Sequence, residues 1–392
     1  MGENRNIRVV IFGAGMTGRG HIAQLVHESG WKITFVERDH ELVKILKDKT
    51  YTVRLISKNT RDVVISGYDI FSLDSKPDIY KAIAEADLVI TSVLPNNLSS
   101  VAPILAECLR FRLLQKNAVP KKMPLNVVAA ENMNNGSSAL WLLTSNYLSF
   151  DEKQEFGRSF GFPNSMIARV VPRSSDPLLI LTEDYNEWTA DKLSRVGNPP
   201  PLDGLEWVDN QEARLKRKLY IHNTGHGVCA YLGVLRGYKF IHESARDQWI
   251  MSYTKAATAE SGDAVAREFG FDTQQINNYA QSLIDRLPLD ALPDSIDRVV
   301  REPIRKLGAK DRFLGPLSLC EKYDLPRHGL CMGIAAVLAA KPLDDEGYRL
   351  SAIVHERGPI GAINEVSRYT PDIESEKLIE EYYELLISGK LE

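Results

Sequence analysis

The 392-residue sequence lacks any apolar run near the roughly 18 residues that a bilayer-spanning helix needs. Its longest clean stretches, such as 333–340, have the length of a core helix. Charge of one sign is scarce too: 48 Lys and Arg stand against 52 Asp and Glu, a net charge of −4. No overall basic field is therefore offered to nucleic acid. Cysteine is sparse, and Cys108, Cys229, Cys320 and Cys331 include no C-x-x-C pair. They read as small buried side chains in a reducing compartment. Residues 1–6 lack the apolar stretch of a signal peptide, and position 6 is not the Ser or Thr that myristoylation requires. No repeat of 20–50 residues is visible. These absences leave a soluble, cytoplasmic protein of two or three domains. At this size folding buries enough surface to need neither disulfide nor structural metal.

The first forty residues carry the strongest local signal. Residues 7–12 form an apolar run broken only by Arg8, as in a parallel strand buried on both faces. Gly13-Ala-Gly15-Met-Thr-Gly18 follows, then a helical pattern, then a second strand over 31–36 ending at Glu37. This is G-x-G-x-x-G between a strand and a helix, with an acid 19 residues beyond Gly18. Gly13 permits a tight turn, Gly15 lets the backbone approach a pyrophosphate, and Gly18 lets helix and strand pack closely. The helix N-terminus supplies free N–H groups and partial positive charge. Glu37 is placed to accept from ribose hydroxyls and to repel a 2′-phosphate, so NAD is expected over NADP. Arg38, next door, is a residue type that can hold a 2′-phosphate and weighs the other way.

Further strands are expected at 52–56 with 62–65, at 88–93 and at 125–130, with helices over 79–86 and 101–114. The alternation continues a doubly wound sheet. Such sheets bind ligands at the carboxyl ends of their strands. Val93, in Ser92-Val-Leu-Pro95, should border the cofactor there or simply turn the chain into a helix. Glu131 and Asn132 follow the next strand and line the site, unless Asn132 or Asn134 simply caps a helix. Strand patterns recur at 167–171 and 178–182. Beyond the Pro- and Gly-rich stretch 196–204, helical patterns run over 211–235, 245–269, 273–287, 329–340, 350–355, 360–365 and 373–386. The fold class is thus an α/β Rossmann-type doubly wound domain, residues 1–205, followed by a mostly α-helical domain, residues 206–392. The cleft between two such domains is the natural place for substrate.

The first helix of the second domain contains Lys218, Asn223 and His226. At about 100° per residue they sit near 0°, 140° and 80°, within one broad face. A lysine can take a hydroxyl proton while an amide and an imidazole hold a developing oxyanion, which suits an alcohol–ketone pair. Burial and neighbouring Lys216 and Arg217 would lower the lysine's affinity for its proton. Other readings stand beside this one: a solvated basic face, a histidine satisfied in the core, or half a metal site from His222 and His226.

The same residues, Lys218-Leu-Tyr-Ile-His-Asn223-Thr-Gly-His226, resemble the K-x-x-x-x-N-x-x-H signature of the polyol-specific long-chain dehydrogenases and reductases. Ala130-Glu-Asn-Met133, Asp176-Pro177 with Glu187-Trp188, and Arg301-Glu-Pro-Ile-Arg-Lys-Leu307 with Asp311-Arg312 resemble the mannitol-1-phosphate 5-dehydrogenase branch of that family. The resemblance runs from about residue 7 to beyond 360. It implies Lys218 as catalytic base or acid, Asn223 with Asn164 as the oxyanion-binding pair, and His226 orienting the reacting oxygen. It also implies direct hydride transfer without a metal. Arg305, Lys306, Arg312 and His328 lie in segments like the family's substrate-contacting parts and are candidates to meet a phosphate, or else form basic runs on a helix surface.

There are departures. Met16-Thr17 stands where the family often has Asn-Ile, in the turn facing the cofactor. Ile167-Ala168-Arg169 replaces a frequent Val-Asp-Arg, and His222 replaces an apolar residue. The implied reaction is D-mannitol 1-phosphate + NAD⁺ to D-fructose 6-phosphate + NADH, with a sugar or sugar phosphate as the partner molecule. Rival readings are a free polyol or hexuronate dehydrogenase, a 6-phosphogluconate-dehydrogenase-like layout, and an NAD(H)-binding sensor without turnover. The family includes monomers, so no oligomer is assumed.

Overall fold

Alternate residues of Arg8–Phe12 (β1) enter two different cores, which is why the strand is apolar almost throughout. Val9 and Ile11 pack on one side of the sheet, Val10 and Phe12 on the other. The computed structural model describes residues 7–57, 59–115, 124–172, 174–291 and 294–389. Residues 1–6, on which the reading of the N-terminus rests, lie outside them. The chain folds into two compact units, Met1–Arg214 and Leu215–Glu392.

In the first unit a short π turn, Gly18–Ile22, runs into α1 (Ala23–Glu28). Then come β2 (Lys32–Glu37), α2 (His40–Leu46), β3 (Tyr51–Ile56), β4 (Arg61–Ile65), β5 (Asp69–Ser72), α3 (Lys76–Glu85) and β6 (Leu88–Thr91). They are followed by α4 (Leu98–Leu114), β7 (Leu125–Ala129), α5 (Gly136–Ser145), α6 (Phe150–Ser159) and β8 (Phe160–Gly161). Last are β9 (Ser165–Ala168), β10 (Leu179–Glu183), β11 (Glu187–Asp191) and β12 (Glu206–Val208). A six-stranded sheet has the order β5-β2-β1-β6-β7-β8, parallel throughout.

One expectation is corrected here. Residues 51–56 and 61–65 do not continue the main sheet. They pair antiparallel and form a separate three-stranded sheet, β10-β3-β4. The cause is visible in the strand itself: β3 alternates buried and half-buried positions, the signature of a strand with one covered face. The edge of the main sheet is instead β5, four residues long and too short to stand out in the sequence. A third small sheet, β12-β11-β9, completes the unit.

The second unit is helical, as expected. The helix α7 (Gln211–Arg217) crosses the boundary and leads into a π turn, Lys218–His222, and then α8 (Asn223–Leu235). There follow α9 (Ile241–Ser244), α10 (Gln248–Phe269), α11 (Thr273–Arg286), α12 (Ile296–Val299) and α13 (Pro303–Lys306). The unit closes with α14 (Leu314–Tyr323), α15 (His328–Ala339), α16 (Asp345–Ser367) and α17 (Ile373–Ile387). The two helical patterns at 350–355 and 360–365 belong to α16, which turns at Gly358 with φ +72°. Apolar side chains of α8, α10, α14, α15 and α17 make one core. Small residues set the depth of α8 in it: a Cβ on Gly225 would stand 2.5 Å from Thr258 Oγ1, and one on Gly227 2.9 Å from the Phe313 ring. Among the described residues no helix is long and apolar enough to cross a membrane.

Candidate active site

In the first unit the glycine loop leaves β1 at the carboxyl edge of the sheet. Gly13 has φ +94°, its N–H donates to the Val36 carbonyl at 2.8 Å, and an added Cβ would lie 2.3 Å from the Ser92 oxygen. A Cβ on Gly18 would lie 2.2 Å from the Gly13 oxygen. Both positions are closed to any side chain. At Gly15 the opposite holds: it is exposed, with nothing within 4 Å of where a Cβ would be. Met16 and Thr17 follow, half-buried, and no side chain caps the helix start at Thr17. The free N–H groups there fit a pyrophosphate.

Glu37, at the end of β2, is buried. Its Oε2 accepts the Ala14 N–H at 2.7 Å, and Oε1 accepts the Arg38 and Asp39 N–H groups at 2.8 and 3.0 Å. The carboxylate therefore shapes the glycine loop while each oxygen keeps lone-pair capacity for a ribose hydroxyl. Arg38 is exposed and donates to Asn97 Oδ1 at 3.0 Å. Glu131 joins two strand ends: it accepts from the Val93 N–H at 3.0 Å and the Thr91 hydroxyl at 2.9 Å. Burial pushes its carboxyl up, against those hydrogen bonds. Beyond Val93, the exposed Leu94 takes φ +74°, a strained conformation at the same edge. Asn132 is exposed beside Glu131. The structure thus brings the cofactor candidates together at the ends of β1, β2, β6 and β7. Asn164, also in this unit, has its carboxamide engaged with Ser138, accepting from the N–H at 3.0 Å and donating to Oγ at 2.8 Å.

Sequence reasoning missed Arg19. It is buried under the loop, donating from Nε to the Ala14 carbonyl at 2.6 Å and from Nη1 to the Pro177 carbonyl. Its guanidinium lies 5.5 Å from the Tyr51 ring centroid. It directly follows Gly18 of the glycine motif, and an arginine at a helix start gave no signal of burial.

In the second unit the π turn alters the geometry anticipated for the basic helix. The Asn223 N–H donates to the Lys218 carbonyl, an i→i+5 bond. An uninterrupted α-helix would set those two residues about 140° apart; the wider turn brings the two positions closer to one side of the helix. Tyr220 and Ile221 of the turn anchor it in a small core with Val265 and Ile276. Lys218, Asn223 and His226 are half-buried, whereas His222 is buried. His226 Nε2 lies 3.1 Å from Asp294 Oδ2. His222 Nδ1 has no partner among the described residues. The His222 ring is held well below its usual basicity by burial, then by the charges of Arg286, His226, Lys218 and Arg312. Asp294 and Arg286 were not anticipated: they are far from the motif in sequence and belong to no recognisable pattern.

Arg312 adjoins this group. Its main-chain carbonyl accepts from Thr224 Oγ1, and its guanidinium meets Asp311 at 2.9 Å. Arg305 is exposed and pairs with Glu302 at 2.7 Å and Asp311 at 3.6 Å. Lys306 is buried, its ammonium donating to the Val299 and Arg301 carbonyls. Burial, with Arg312 and Arg305 nearby, pushes it down to about 7. His328 is exposed at the start of α15, 3.1 Å from the Tyr382 hydroxyl. Arg305, Lys306 and Arg312 thus gather around Asp311, and His328 is held by a different contact. Among the described residues no group of three His, Cys, Asp or Glu side chains is arranged to hold a metal ion.

A glycine loop on a parallel sheet followed in the chain by a helical unit is the layout of a dinucleotide-dependent oxidoreductase. Residues 7–204 match the mannitol dehydrogenase Rossmann domain and residues 212–385 the mannitol dehydrogenase C-terminal domain, so the chain belongs to the mannitol dehydrogenase family. It is 36% identical over 371 residues to mannitol-1-phosphate 5-dehydrogenase of Geobacillus stearothermophilus, spanning 93% of this chain and 95% of that one. The solved structure of Pseudomonas fluorescens mannitol 2-dehydrogenase, a ternary complex with NAD and D-mannitol, aligns with TM-score 0.72 at 17% identity, covering 98% of this chain and 93% of that one. A substrate-free D-sorbitol dehydrogenase aligns with TM-score 0.77, also at 17% identity, over 98% and 94% of the two chains. These structural likenesses establish the fold.

Proposed function

We propose that this chain interconverts a hexitol phosphate and a ketose phosphate, D-mannitol 1-phosphate + NAD⁺ ⇌ D-fructose 6-phosphate + NADH + H⁺. The cofactor is NAD, which when bound accepts the hydride from the carbinol carbon. The glycine loop and uncapped helix start bind its pyrophosphate, with Glu37 for the ribose and Val93, Glu131 and Asn132 at the strand ends. Lys218 takes the proton of the reacting hydroxyl and returns it in the reverse direction. Asn223 and Asn164 donate to the oxygen as it gains charge, and His226 orients it.

One observation supports the phosphate reading: Arg312, whose main-chain carbonyl accepts from Thr224 of the helix that bears the reacting groups, lies with Arg305 around Asp311. Two guanidiniums beside that helix can each offer a phosphate a pair of parallel hydrogen bonds. Arg305 and Arg312 suit the phosphate. Lys306 acts by holding the backbone, and His328 is the weakest member of the set. The relative at 36% identity bears the corresponding name, which supports the same substrate. Four buried, unpaired cysteines support a reducing, cytoplasmic setting.

Steady-state rates with NADH and a ketose panel test the proposal. Fructose 6-phosphate should exceed fructose in kcat/KM by roughly 100-fold, the worth of a paired phosphate. Preference for free fructose or a hexuronate would replace it with the non-phosphorylated reading. NADH binding without oxidation by any ketose would favour the sensor.

A further inference from the structure

A histidine's proton sits on one ring nitrogen or the other according to what each nitrogen meets. His226 Nε2 faces Asp294 Oδ2 at 3.1 Å, and the two side chains are only 17% and 10% exposed. Asp294 is itself fixed. Arg298, on α12, donates from Nε and Nη2 to its oxygens at 2.6–2.9 Å. Its main-chain carbonyl accepts the Ile241 N–H at 2.9 Å. Burial disfavours its charge, but His226 and Arg298 outweigh that and hold the carboxyl at about 2. The other charged groups bearing on this end of α8 are Lys218, Arg286 and Arg312, around neighbouring His222.

We infer that Asp294 is the positioning residue of this site: it accepts from Nε2, fixes the tautomer and rotation of His226, and leaves Nδ1 to meet the reacting oxygen. With Nε2–H committed to Asp294, only Nδ1 is left to meet the reacting oxygen, whose own proton goes to Lys218. A ring that also carries a proton on Nδ1 donates it in a hydrogen bond to that oxygen, as hydroxyl or as carbonyl, and keeps it throughout. The protonation of the ring is then the same before and after hydride transfer, so one geometry serves both directions of the reaction. The inference rests on the function proposed above for the same helix.

The test uses the full chain with NAD(H). Rates in both directions are measured for wild type, Asp294→Asn, Asp294→Glu, His226→Ala and the Asp294→Asn/His226→Ala double variant, with ¹⁵N spectra of histidine-labelled protein. Asp294→Asn should lose at least roughly tenfold in kcat with NADH affinity unchanged, as when a catalytic histidine loses its orienting carboxylate. Asp294→Glu should recover part of the loss. In the double variant the asparagine should add nothing to the loss from His226→Ala. The Nε2–H signature of His226 should be present in wild type and lost in Asp294→Asn. Losses that multiply in the double variant, or an unaltered His226 signature in Asp294→Asn, overturn the assignment. Should Asp294→Asn not fold, the wild-type spectrum decides: a neutral His226 protonated on Nδ1 rejects it. A wild type that oxidises NADH with no ketose rejects the proposed function instead, and the spectrum still tests Asp294.

Discussion

Glu37 and Arg19 hold the two sides of one residue, Ala14: the carboxylate takes its N–H at 2.7 Å and the guanidinium its carbonyl at 2.6 Å. The glycine loop is thus set before any ligand arrives, and affinity should depend on both groups. In Glu37→Gln the charge-assisted bond weakens and the repulsion of a 2′-phosphate disappears. We expect NADH to bind roughly tenfold more weakly and the preference over NADPH to narrow, measured by fluorescence titration. Arg19→Met leaves the buried Ala14 carbonyl and the half-buried Pro177 carbonyl without their donor and should cost about 1–3 kcal/mol in denaturant unfolding.

Lys218 is assigned the proton. Lys218→Ala should lower kcat by roughly 100- to 10,000-fold. NADH binding, which belongs to the first unit, should stay within twofold. Lys218→Arg should not restore turnover, because a guanidinium keeps its proton throughout the working pH range. Stopped-flow hydride transfer checks both.

For the phosphate, Arg305→Ala and Arg312→Ala should each raise KM for fructose 6-phosphate by roughly tenfold or more. The slow reduction of free fructose should change much less. Arg312→Lys should restore only part, since an ammonium cannot form the two parallel bonds of a guanidinium. Equal losses on both ketoses would place these residues away from the phosphate.

Asp294 also bears on stability. Its folded carboxyl lies at about 2, below the ordinary 3.8, so the unfolded chain binds the proton more readily. The stabilisation is complete above about pH 4 and is lost as pH falls through 3.8 toward 2. At pH 7 Asp294→Asn should be less stable than wild type by about 2 kcal/mol. That difference should shrink as the pH is lowered, as read from urea midpoints at several pH values.

Much of this was legible in the sequence, for identifiable reasons. β1 has no polar face, so its apolar run marked it as a central parallel strand; the glycines after it admit no side chain at Gly13 and Gly18. β3 was misplaced because a strand pattern fixes the element and not the sheet it joins; its alternate burial belongs to the smaller sheet. The π turn left no trace because hydrophobic spacing does not register one extra residue within a single turn. Asp294 and Arg286 were invisible for another reason: their meaning comes only from packing α11 and the segment before α12 against α8.

Because the Lys218–His222 turn closes over five residues rather than four, the chain carries one spare position between its amine and its amide. Removing Leu219 should let the stretch relax to ordinary α geometry with Lys218 and the amide still a turn apart, so some turnover should survive. Removing Gly225, between Asn223 and His226, should instead swing the imidazole by about 100° and abolish turnover while NADH still binds. Tolerance to shortening should therefore change abruptly within a few residues of one helix.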